Sequence, residues 1–416
     1  MKAGYARLDI TPEYPMPLAG YDRRKGLSEG VLTPLYVTVL VLGEEAPELA
    51  LCSYDLLGVD HSFCAELGVW VEGQLNFPRE NLMVCATHTH SAPGNIFKNS
   101  MCYDRNYIEK LLAAGVSALK SAIEDFAEAS PSYHPVKVKG VASPRHSGLG
   151  PEARNYEMKA DVVKFVRQGD EILLCSFACH PTILNEKNFL FSRDLVGAAE
   201  SHLESGKKAI FINGSCGDLS TRYTRSSSDY QEAERLGSLW AEAVNKALKS
   251  ASCQPTMRIT AIHGMVQLSG RCGMDEVTRA QWMAYLKKRM CNYENDEEQR
   301  EYLSRLAVLE RGPYRARRDQ DILIQFIDLG FIAYLCFPLE LSSSFGQLCE
   351  NAIREALGKE TCIVCYAGGY EGYLPSQNPL TMDSSYEDLA SPYLYRAQAE
   401  LLTGIEGLLE RVKEVM

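Results

Sequence analysis

The residues best suited to chemistry in this 416-residue chain are two histidines in the segment Thr87-His88-Thr89-His90-Ser91. They follow the apolar run 82–86, which is typical of a short buried strand. If the backbone stays extended through His90, both imidazoles point to one side, with their Cα atoms about 6–7 Å apart. Such a pair can share one metal ion, or divide into a metal ligand and a proton carrier. The alternative is a pair of surface histidines in a polar loop.

Four further apolar runs end in polar or metal-binding groups. The segments that follow them are Cys179-His180-Pro181-Thr182, Gly214-Ser215-Cys216-Gly217-Asp218-Leu219-Ser220, Pro338-Leu339-Glu340 and Gly368-Gly369-Tyr370-Glu371-Gly372-Tyr373. In α/β proteins the strand ends at one edge deliver side chains to one crevice. Taken singly, His180 could be a core histidine and Glu340 a carboxylate at a helix N-terminus. Taken jointly, the five strand ends predict one functional site.

The donor types in this set indicate zinc chemistry. Two histidines and one glutamate with an open position form a catalytic zinc set, in contrast to the closed, cysteine-rich structural kind. Zinc lowers the pKa of bound water to about 7 and polarises a carbonyl group, which suits hydrolysis of an amide or an ester. A second imidazole close to a ligand is well placed to carry the proton.

The elements that must position these residues indicate an α/β fold. We predict a mixed, largely parallel β-sheet core with flanking helices and the site at the carboxyl ends of the strands. Strands at 48–54 and 82–86 with a helix at 61–75 between them predict a parallel β-α-β unit. Long helices are expected at 107–127 and 390–415. We predict one domain over 1–416, with a helical insertion at 270–318.

Composition narrows the classes of function. The net charge of −11 argues against a nucleic-acid partner or an anionic membrane surface, and the one basic cluster, 315–318, reads as a solvated loop. The N-terminus lacks an apolar signal core and no run is long enough to span a membrane, so we expect a cytoplasmic protein without stable membrane insertion. The fourteen cysteines are then free thiols, and the CxxC pair Cys362 and Cys365 belongs to the core.

Several motifs together resemble one known family. Thr87-His88-Thr89-His90-Ser91-Ala92-Pro93-Gly94 resembles the THTHSGPGG-type signature of the neutral/alkaline (non-lysosomal) ceramidases. The segments Asp9-Ile10-Thr11-Pro12, Gly217-Asp218-Leu219-Ser220, Pro338-Leu339-Glu340 and Tyr370-Glu371-Gly372-Tyr373 are similar to further motifs of that family, in the same order. The resemblance extends from residue 9 to about residue 390.

The resemblance implies a ligand set and a catalytic set. The family's zinc would be bound by His88, His180, Glu340 and Tyr373. His90 would contact the zinc-bound water or the substrate, Ser220 would lie in the active site, Arg145 would help to hold the reacting oxygen, and Tyr386 matches a further site tyrosine.

The sequence also departs from the family pattern. Thr221-Arg222 replaces Pro-Asn, Ala92 replaces glycine, and the immunoglobulin-like C-terminal domain of the ceramidases is not expected here. We therefore expect a zinc-dependent, ceramidase-like hydrolase of linear N-acyl amide bonds. Its partner is expected to be a small acyl-amide or lipid-like molecule, with a small, water-soluble substrate preferred, and we leave its oligomeric state open.

Four alternatives remain at this point. The first is an amidohydrolase-type metal enzyme in a (β/α)8 barrel, in which both His88 and His90 bind the metal. The second is an esterase or a deacetylase of an acetylated sugar. The third is a cysteine hydrolase with Cys216 as the nucleophile and His180 or His90 as the base. The fourth is a non-catalytic carbohydrate- or lipid-binding protein.

Overall fold

The computed structural model describes residues 1–94, 96–98, 103–146, 150–250, 257–293, 296–311 and 319–415. Its strands are β1 Lys2–Asp9, β2 Gly30–Val31, β3 Tyr36–Gly43, β4 Leu49–Tyr54, β5 Leu82–Ala86, β6 Ala127–Lys139, β7 Ser143–Pro144, β8 Glu157–Arg167, β9 Asp170–Phe177, β10 Leu190–Phe191, β11 Lys207–Asn213, β12 Leu219–Ser220, β13 Thr260–Leu268, β14 Gln320–Asp328, β15 Ala333–Cys336 and β16 Thr361–Val364. Its helices are α1 His61–Leu75, α2 Arg105–Glu124, α3 Asp194–Ser201, α4 Tyr230–Leu248, α5 Glu276–Met290, α6 Asp296–Glu310, α7 Ser343–Leu357, α8 Tyr386–Ala390 and α9 Ala397–Val415. The basic cluster at 315–318 lies outside the described residues.

Two sheets form the centre of the fold. Within the described residues, eight strands make the first sheet in the order β11-β9-β8-β6-β1-β3-β4-β5, and β13-β14-β15-β16 make the second. The mixed α/β class is confirmed, but the expected predominance of parallel strands is found only in part. Parallel pairing joins β11 to β9, β4 to β5 and β15 to β16, whereas the other pairs in the two sheets are antiparallel.

The sheets pack face to face, and this explains why their central strands are apolar on both faces. In β3, Leu40 and Leu42 belong to an apolar cluster that also contains Tyr334 and Cys336 of the second sheet. Valines 37, 39 and 41 of the same strand point the other way, into a cluster with α1 and α2. A strand covered on both sides has no solvent face, and its sequence therefore lacks the polar alternation of a surface strand.

Helices cover the outer faces of both sheets. On the first sheet, α2 packs against β1 and β3, while α4 packs against β6. On the second sheet, α9 packs against β13 and α7 against β16. The layers are therefore helix, sheet, sheet, helix. No helix in the described part of the chain combines the length and the apolar character needed to cross a membrane.

The predicted helical insertion is present as a helix pair. Helices α5 and α6 pack on each other around the buried residues Leu286, Leu306 and Leu309. Outside this pair, α6 contacts α8. The rest of the predicted 270–318 segment lies partly outside the described residues.

Several element boundaries differ from the sequence prediction. Helix α1 and the parallel β4-α1-β5 unit are confirmed. The helix expected over 107–127 ends at Glu124, and β6 begins at Ala127 instead of near residue 136. The C-terminal helix expected over 390–415 begins only at Ala397, as α9, because Pro392 disfavours helical backbone in the residue before it; the short helix α8 ends at Ala390.

Candidate metal centre and catalytic cleft

The two histidines of the first motif converge, but not through an extended backbone. Beyond β5, the amide of Thr87 donates to the carbonyl of Tyr54, and the amide of His88 donates to that of Leu56. His88 has a φ of 68°, in the left-handed region that non-glycine residues seldom adopt. The expectation of an extended backbone through His90 is therefore wrong. Even so, the Nε2 atoms of His88 and His90 lie 3.3 Å apart.

Hydrogen bonds to backbone carbonyls determine which ring nitrogen of His88 and of His180 carries the proton. Nδ1 of His88 lies 2.6 Å from the carbonyl oxygen of Leu57, and Nδ1 of His180 lies 2.7 Å from that of Cys216. A carbonyl oxygen can only accept, so each Nδ1 carries the proton and each Nε2 keeps its lone pair. Imidazole ligands of protein metal sites are oriented in this way.

A glutamate and a tyrosine complete the cluster. Oε2 of Glu340 lies 3.5 Å from Nε2 of His88 and 3.2 Å from Nε2 of His180. The hydroxyl of Tyr373 lies 3.3 Å from the same nitrogen of His180. In a tetrahedral zinc site with ligand distances of about 2.0–2.1 Å, neighbouring ligand atoms are about 3.3–3.4 Å apart. The three distances that join the four side chains named by the resemblance are therefore close to those between neighbouring ligands of a tetrahedral zinc site.

The protonation states leave this cluster rich in acceptors. Burial, helped by the nearby His180, lowers the pKa of His88 to about 3 despite the opposing effect of Glu340. Burial raises the pKa of Glu340, but the interactions with His88, His180 and Tyr370 outweigh this and lower it to about 2. At pH 7 the imidazole of His88 is thus neutral and the carboxylate is charged. Lone pairs that face one another in a buried site fit a bound cation.

His90 differs from its two neighbours. Its Nδ1 is buried, and no hydrogen-bond partner for it is found among the described residues. Gly20, with a φ of 90°, packs so closely that an added Cβ would lie 2.3 Å from this nitrogen. Burial and the two other imidazoles lower the pKa of His90 well below its usual value. Because no carbonyl fixes its tautomer, His90 can hold a proton on either nitrogen.

A second set of donors is also compatible with a metal. One nitrogen from each of His88, His90 and His180 can be chosen so that all three lie within 4.8 Å of one another. The geometry thus brings His90 to the cluster without deciding between a ligand and a proton carrier.

Two short strands bring Ser220 and Arg145 to the same place. Ser220 in β12 pairs with Ser143 in β7, and it also forms a bridge with His180. Arg145 follows β7, and its guanidinium lies 2.8 Å from a carboxylate oxygen of Glu387. Burial disfavours the charged guanidinium, but Glu387 and Tyr373 outweigh this, so that the pKa of Arg145 is raised well above its ordinary value.

The cleft in front of the cluster is lined by many charged residues as well as by aromatic ones. Tyr386 stands edge-on to Tyr373, with 5.8 Å between the ring centroids. The cavity has a volume of about 140 Å³. Its described lining comprises Gly20, Tyr21, Asp22, Arg23, His90, Arg145, Thr182, Glu186, Ser220, Arg222, Arg225, Arg300, Glu301, Leu303, Ser304, Ala307, Tyr373, Tyr386 and Glu387. Every residue predicted for catalysis thus lines one cavity, and Tyr373 connects this cavity to the metal-type cluster.

Two of the alternatives do not fit the structure. The sheets are open and mainly antiparallel, so the (β/α)8-barrel interpretation is wrong. The thiol of Cys216 is buried and lies 3.0 Å from the hydroxyl of Tyr366, and burial raises its pKa well above the usual value. A thiol held in its protonated form is a poor nucleophile.

The sequence analysis did not single out four residues beside the site, namely Tyr366, Tyr370, His146 and Glu387. Tyr366 and Tyr370 both donate hydrogen bonds to Glu340. His146 and Arg145 both contact Glu387. A signal for the tyrosines existed, because both lie in the aromatic and glycine-rich segment that follows β16. Nothing in the sequence distinguishes Glu387 and His146 from other charged loop residues.

The fold and the site define a class, namely mixed α/β proteins with a buried donor cluster at the ends of several strands. Comparison with known proteins is consistent with this class. The sequence model described as neutral/alkaline non-lysosomal ceramidase, N-terminal, matches residues 1–222. The structure is similar to that of neutral ceramidase from Pseudomonas aeruginosa, with 16% identity, a TM-score of 0.77, and coverage of 100% of this chain and 75% of that one. A second solved structure, a ceramidase complexed with C2, gives 14% identity, a TM-score of 0.79 and the same coverage.

The chain belongs to the neutral/alkaline non-lysosomal ceramidase family, since the match covers more than half of its length. This membership places it among the hydrolases that act on amide bonds. The two structural similarities show that the fold of the family extends over the whole chain.

Proposed function

We propose that the protein is a zinc-dependent hydrolase that cleaves the amide bond of a small, water-soluble N-acyl compound. One observation carries this proposal. Glu340 lies 3.5 Å from His88 and 3.2 Å from His180, and Tyr373 lies 3.3 Å from His180, which are distances expected between ligands of a tetrahedral zinc ion. The ionised carboxylate and the neutral imidazole of His88 supply the protonation states that zinc needs.

The residues around the cluster suit amide hydrolysis. When bound, zinc supplies a Lewis acid and an activated water. His90 is placed to take a proton and to return it to the leaving nitrogen, because neither ring nitrogen is tied to a carbonyl oxygen. Ser220 and Arg145 line the same cavity and offer a hydroxyl and a guanidinium to the oxygen of the scissile carbonyl. Tyr21 packs on the ring of His90 at a centroid distance of 5.0 Å and limits its movement.

The charged wall of the cleft supports a small polar substrate. Its described lining includes five arginines, at positions 23, 145, 222, 225 and 300, and four carboxylates, at positions 22, 186, 301 and 387. Helix α6 forms part of this wall, where Glu301 contacts Arg222 at 2.6 Å. An enzyme that takes long-chain lipids from a membrane needs an exposed apolar face beside its cleft.

The test is a hydrolysis panel on metal-free and zinc-loaded protein. N-acyl amides with short and long acyl chains, matching esters and acetylated sugars are compared at equal free concentrations. We expect zinc-dependent hydrolysis of the short-chain amides. A strong preference for long-chain ceramide would overturn the substrate class, and equal activity after complete metal removal would overturn the zinc mechanism.

We also propose that residues 1–416 act as one catalytic unit in the cytoplasm. The cysteines in the described ranges are all free thiols, which supports a reducing compartment. Cell fractionation tests the location, and recovery of the protein in an oxidising compartment would contradict it.

A further inference from the structure

We propose that Tyr366 is a positioning residue that holds two of the candidate ligands, His88 and Glu340, in their metal-binding orientations. This inference rests on the metal centre of the proposed function. It goes further because it assigns a role to a residue outside the expected ligand and catalytic sets. Three separate contacts of Tyr366 carry it, through its backbone, its ring and its hydroxyl.

The backbone of Tyr366 ties together the two chain segments that present these ligands. Its carbonyl oxygen accepts a hydrogen bond of 3.1 Å from the amide of Ala86, two residues before His88. Its own amide donates at 3.4 Å to the carbonyl of Leu339, the residue before Glu340. Tyr366 has a φ of 58°, a left-handed conformation that a non-glycine residue keeps only where its surroundings enforce it. The residue thus links the ends of strands from both sheets.

The ring of Tyr366 sets the plane of the His88 imidazole. The two rings are stacked, with centroids 3.9 Å apart and an angle of 15° between their planes. Tyr366 is fully buried, so its ring has little room to move. The Nδ1 contact of His88 with Leu57 then fixes the rotation of the imidazole within that plane.

The hydroxyl of Tyr366 holds the glutamate. It donates at 3.2 Å to Oε2 of Glu340, which is the oxygen that faces both imidazoles. Tyr370 donates to the other oxygen, Oε1. With one donor on each oxygen, the carboxylate cannot rotate freely, and it presents Oε2 alone to the cluster.

Cys216 completes this arrangement. Its sulfur lies 3.0 Å from the hydroxyl oxygen of Tyr366. The phenol has one proton, and an ionised carboxylate is the stronger acceptor, so that proton goes to Glu340. The thiol of Cys216 therefore donates to the phenol oxygen and holds the hydroxyl in the direction of the carboxylate.

The test compares Tyr366→Phe with the wild type and with Tyr107→Phe. Tyr366→Phe keeps the ring on His88 and removes only the hydroxyl. Tyr107→Phe is the matched control, because Tyr107 is a buried tyrosine of α2 whose hydroxyl donates at 2.7 Å to the carbonyl of Ile10, away from the cluster. Zinc affinity is measured by competition with a chromophoric chelator, and the geometry of the site is followed by the visible absorption spectrum of the cobalt(II)-substituted protein.

We expect Tyr366→Phe to bind zinc about 10- to 100-fold more weakly than wild type and to change the cobalt(II) spectrum. We expect Tyr107→Phe to leave both unchanged. Cys216→Ser retains a donor to the phenol and should stay close to wild type in both measurements, whereas Cys216→Ala should shift toward Tyr366→Phe.

The outcomes separate this inference from the proposed function. Equal zinc affinity and identical spectra for Tyr366→Phe and wild type would overturn the role of Tyr366. A wild type that binds zinc but hydrolyses no N-acyl amide would overturn the proposed function alone. Absence of zinc binding by the wild type would overturn both.

Discussion

Three of the four candidate ligands are held from the side that faces away from the cluster. His88 is held by the carbonyl of Leu57, His180 by that of Cys216, and Glu340 by the hydroxyl of Tyr370. Orientation by such partners costs nothing at the moment of metal binding, because the side chains already point inward. Nδ1 of His90 lacks an equivalent partner among the described residues, which distinguishes His90 from His88 and His180.

We expect His90→Ala to retain its metal and to lose about 10²- to 10⁴-fold in kcat, because the variant removes a proton carrier and leaves the four ligands in place. His88→Ala is the comparison, and it should lose metal and activity together. Metal content is measured by elemental analysis and kcat on a short-chain N-acyl amide. Loss of metal from His90→Ala would show that all three imidazoles bind the ion.

Gly20 offers a test of how closely His90 must be placed. An added Cβ would lie 2.3 Å from Nδ1 of His90, so Gly20→Ala must displace the imidazole or the loop. We expect kcat to fall by up to about 100-fold, as displacements near 1 Å in an active site can cause. Gly169→Ala is the control, because Gly169 also has a positive φ but has open space around the added atom. If both variants lower kcat equally, backbone strain and not contact with His90 is responsible.

The sequence predicted residues of the site better than it predicted their geometry. His88, His180, Glu340 and Tyr373 could be found because each follows a strand in a recognisable motif. The left-handed backbone at His88 could not be found, since it depends on a hydrogen bond to Leu56 in a distant segment. The stacking of Tyr366 on His88 was hidden for the same reason, because it exists only after two sheets have packed together.

Among the elements, α6 has the most direct influence on the cleft. Its Glu301 contacts Arg222 at 2.6 Å and Arg305 at 3.0 Å, and it lies 3.9 Å from His146. Arg305 belongs to α6 itself, whereas Arg222 and His146 lie on the main body of the fold. The ion pair with Arg222 and the contact with His146 therefore hold α6 against the cleft.

We expect Glu301→Ala to loosen α6 more than the rest of the chain. The variant leaves Arg222 partly buried without its carboxylate, a loss of roughly 1–3 kcal/mol in local stability. Limited proteolysis should cut within α6 faster, while the midpoint of global unfolding changes little. Glu310→Ala, an exposed position at the end of the same helix, should behave as wild type. A large fall in the global midpoint would show that α6 is part of the main cooperative unit.

Whether a segment forms a helix or a strand was easier to predict than the residues at which the element begins and ends. The predicted limits of α1 match the structure, in which Asp60 caps the start of the helix and Asn76, in the left-handed conformation, ends it. The start of β6 was missed, because Pro131 and Pro135 lie within this strand and proline usually argues against a strand interior. The antiparallel majority of the pairings could not be predicted either, since pairing direction follows from long-range topology.

For the whole molecule, a metal ion bound by the buried acceptors of the candidate centre would contribute to stability. A ligand that binds only the folded state adds about 2.7 kcal/mol to the free energy of unfolding at 100 times its Kd. We expect added zinc to raise the thermal unfolding midpoint of the metal-free protein, and a chelator to reverse the effect. Calorimetry measures both, with magnesium as the control cation because it prefers oxygen ligands. No change with zinc would contradict a metal centre formed by these residues.

The distribution of the candidate metal ligands over the two sheets has a consequence for how the protein is synthesised. All strands of the first sheet precede residue 214, and this sheet presents His88 and His180. Glu340 and Tyr373 arrive with the second sheet, near the end of synthesis. A ribosome releasing the chain from its N-terminus exposes half of the metal site long before the other half exists. The imidazole pair alone would select a metal by the affinity order of nitrogen ligands, in which copper binds most tightly. Under the proposed function, selectivity for zinc would therefore be established after translation, once the carboxylate of Glu340 and the phenol of Tyr373 join the two imidazoles.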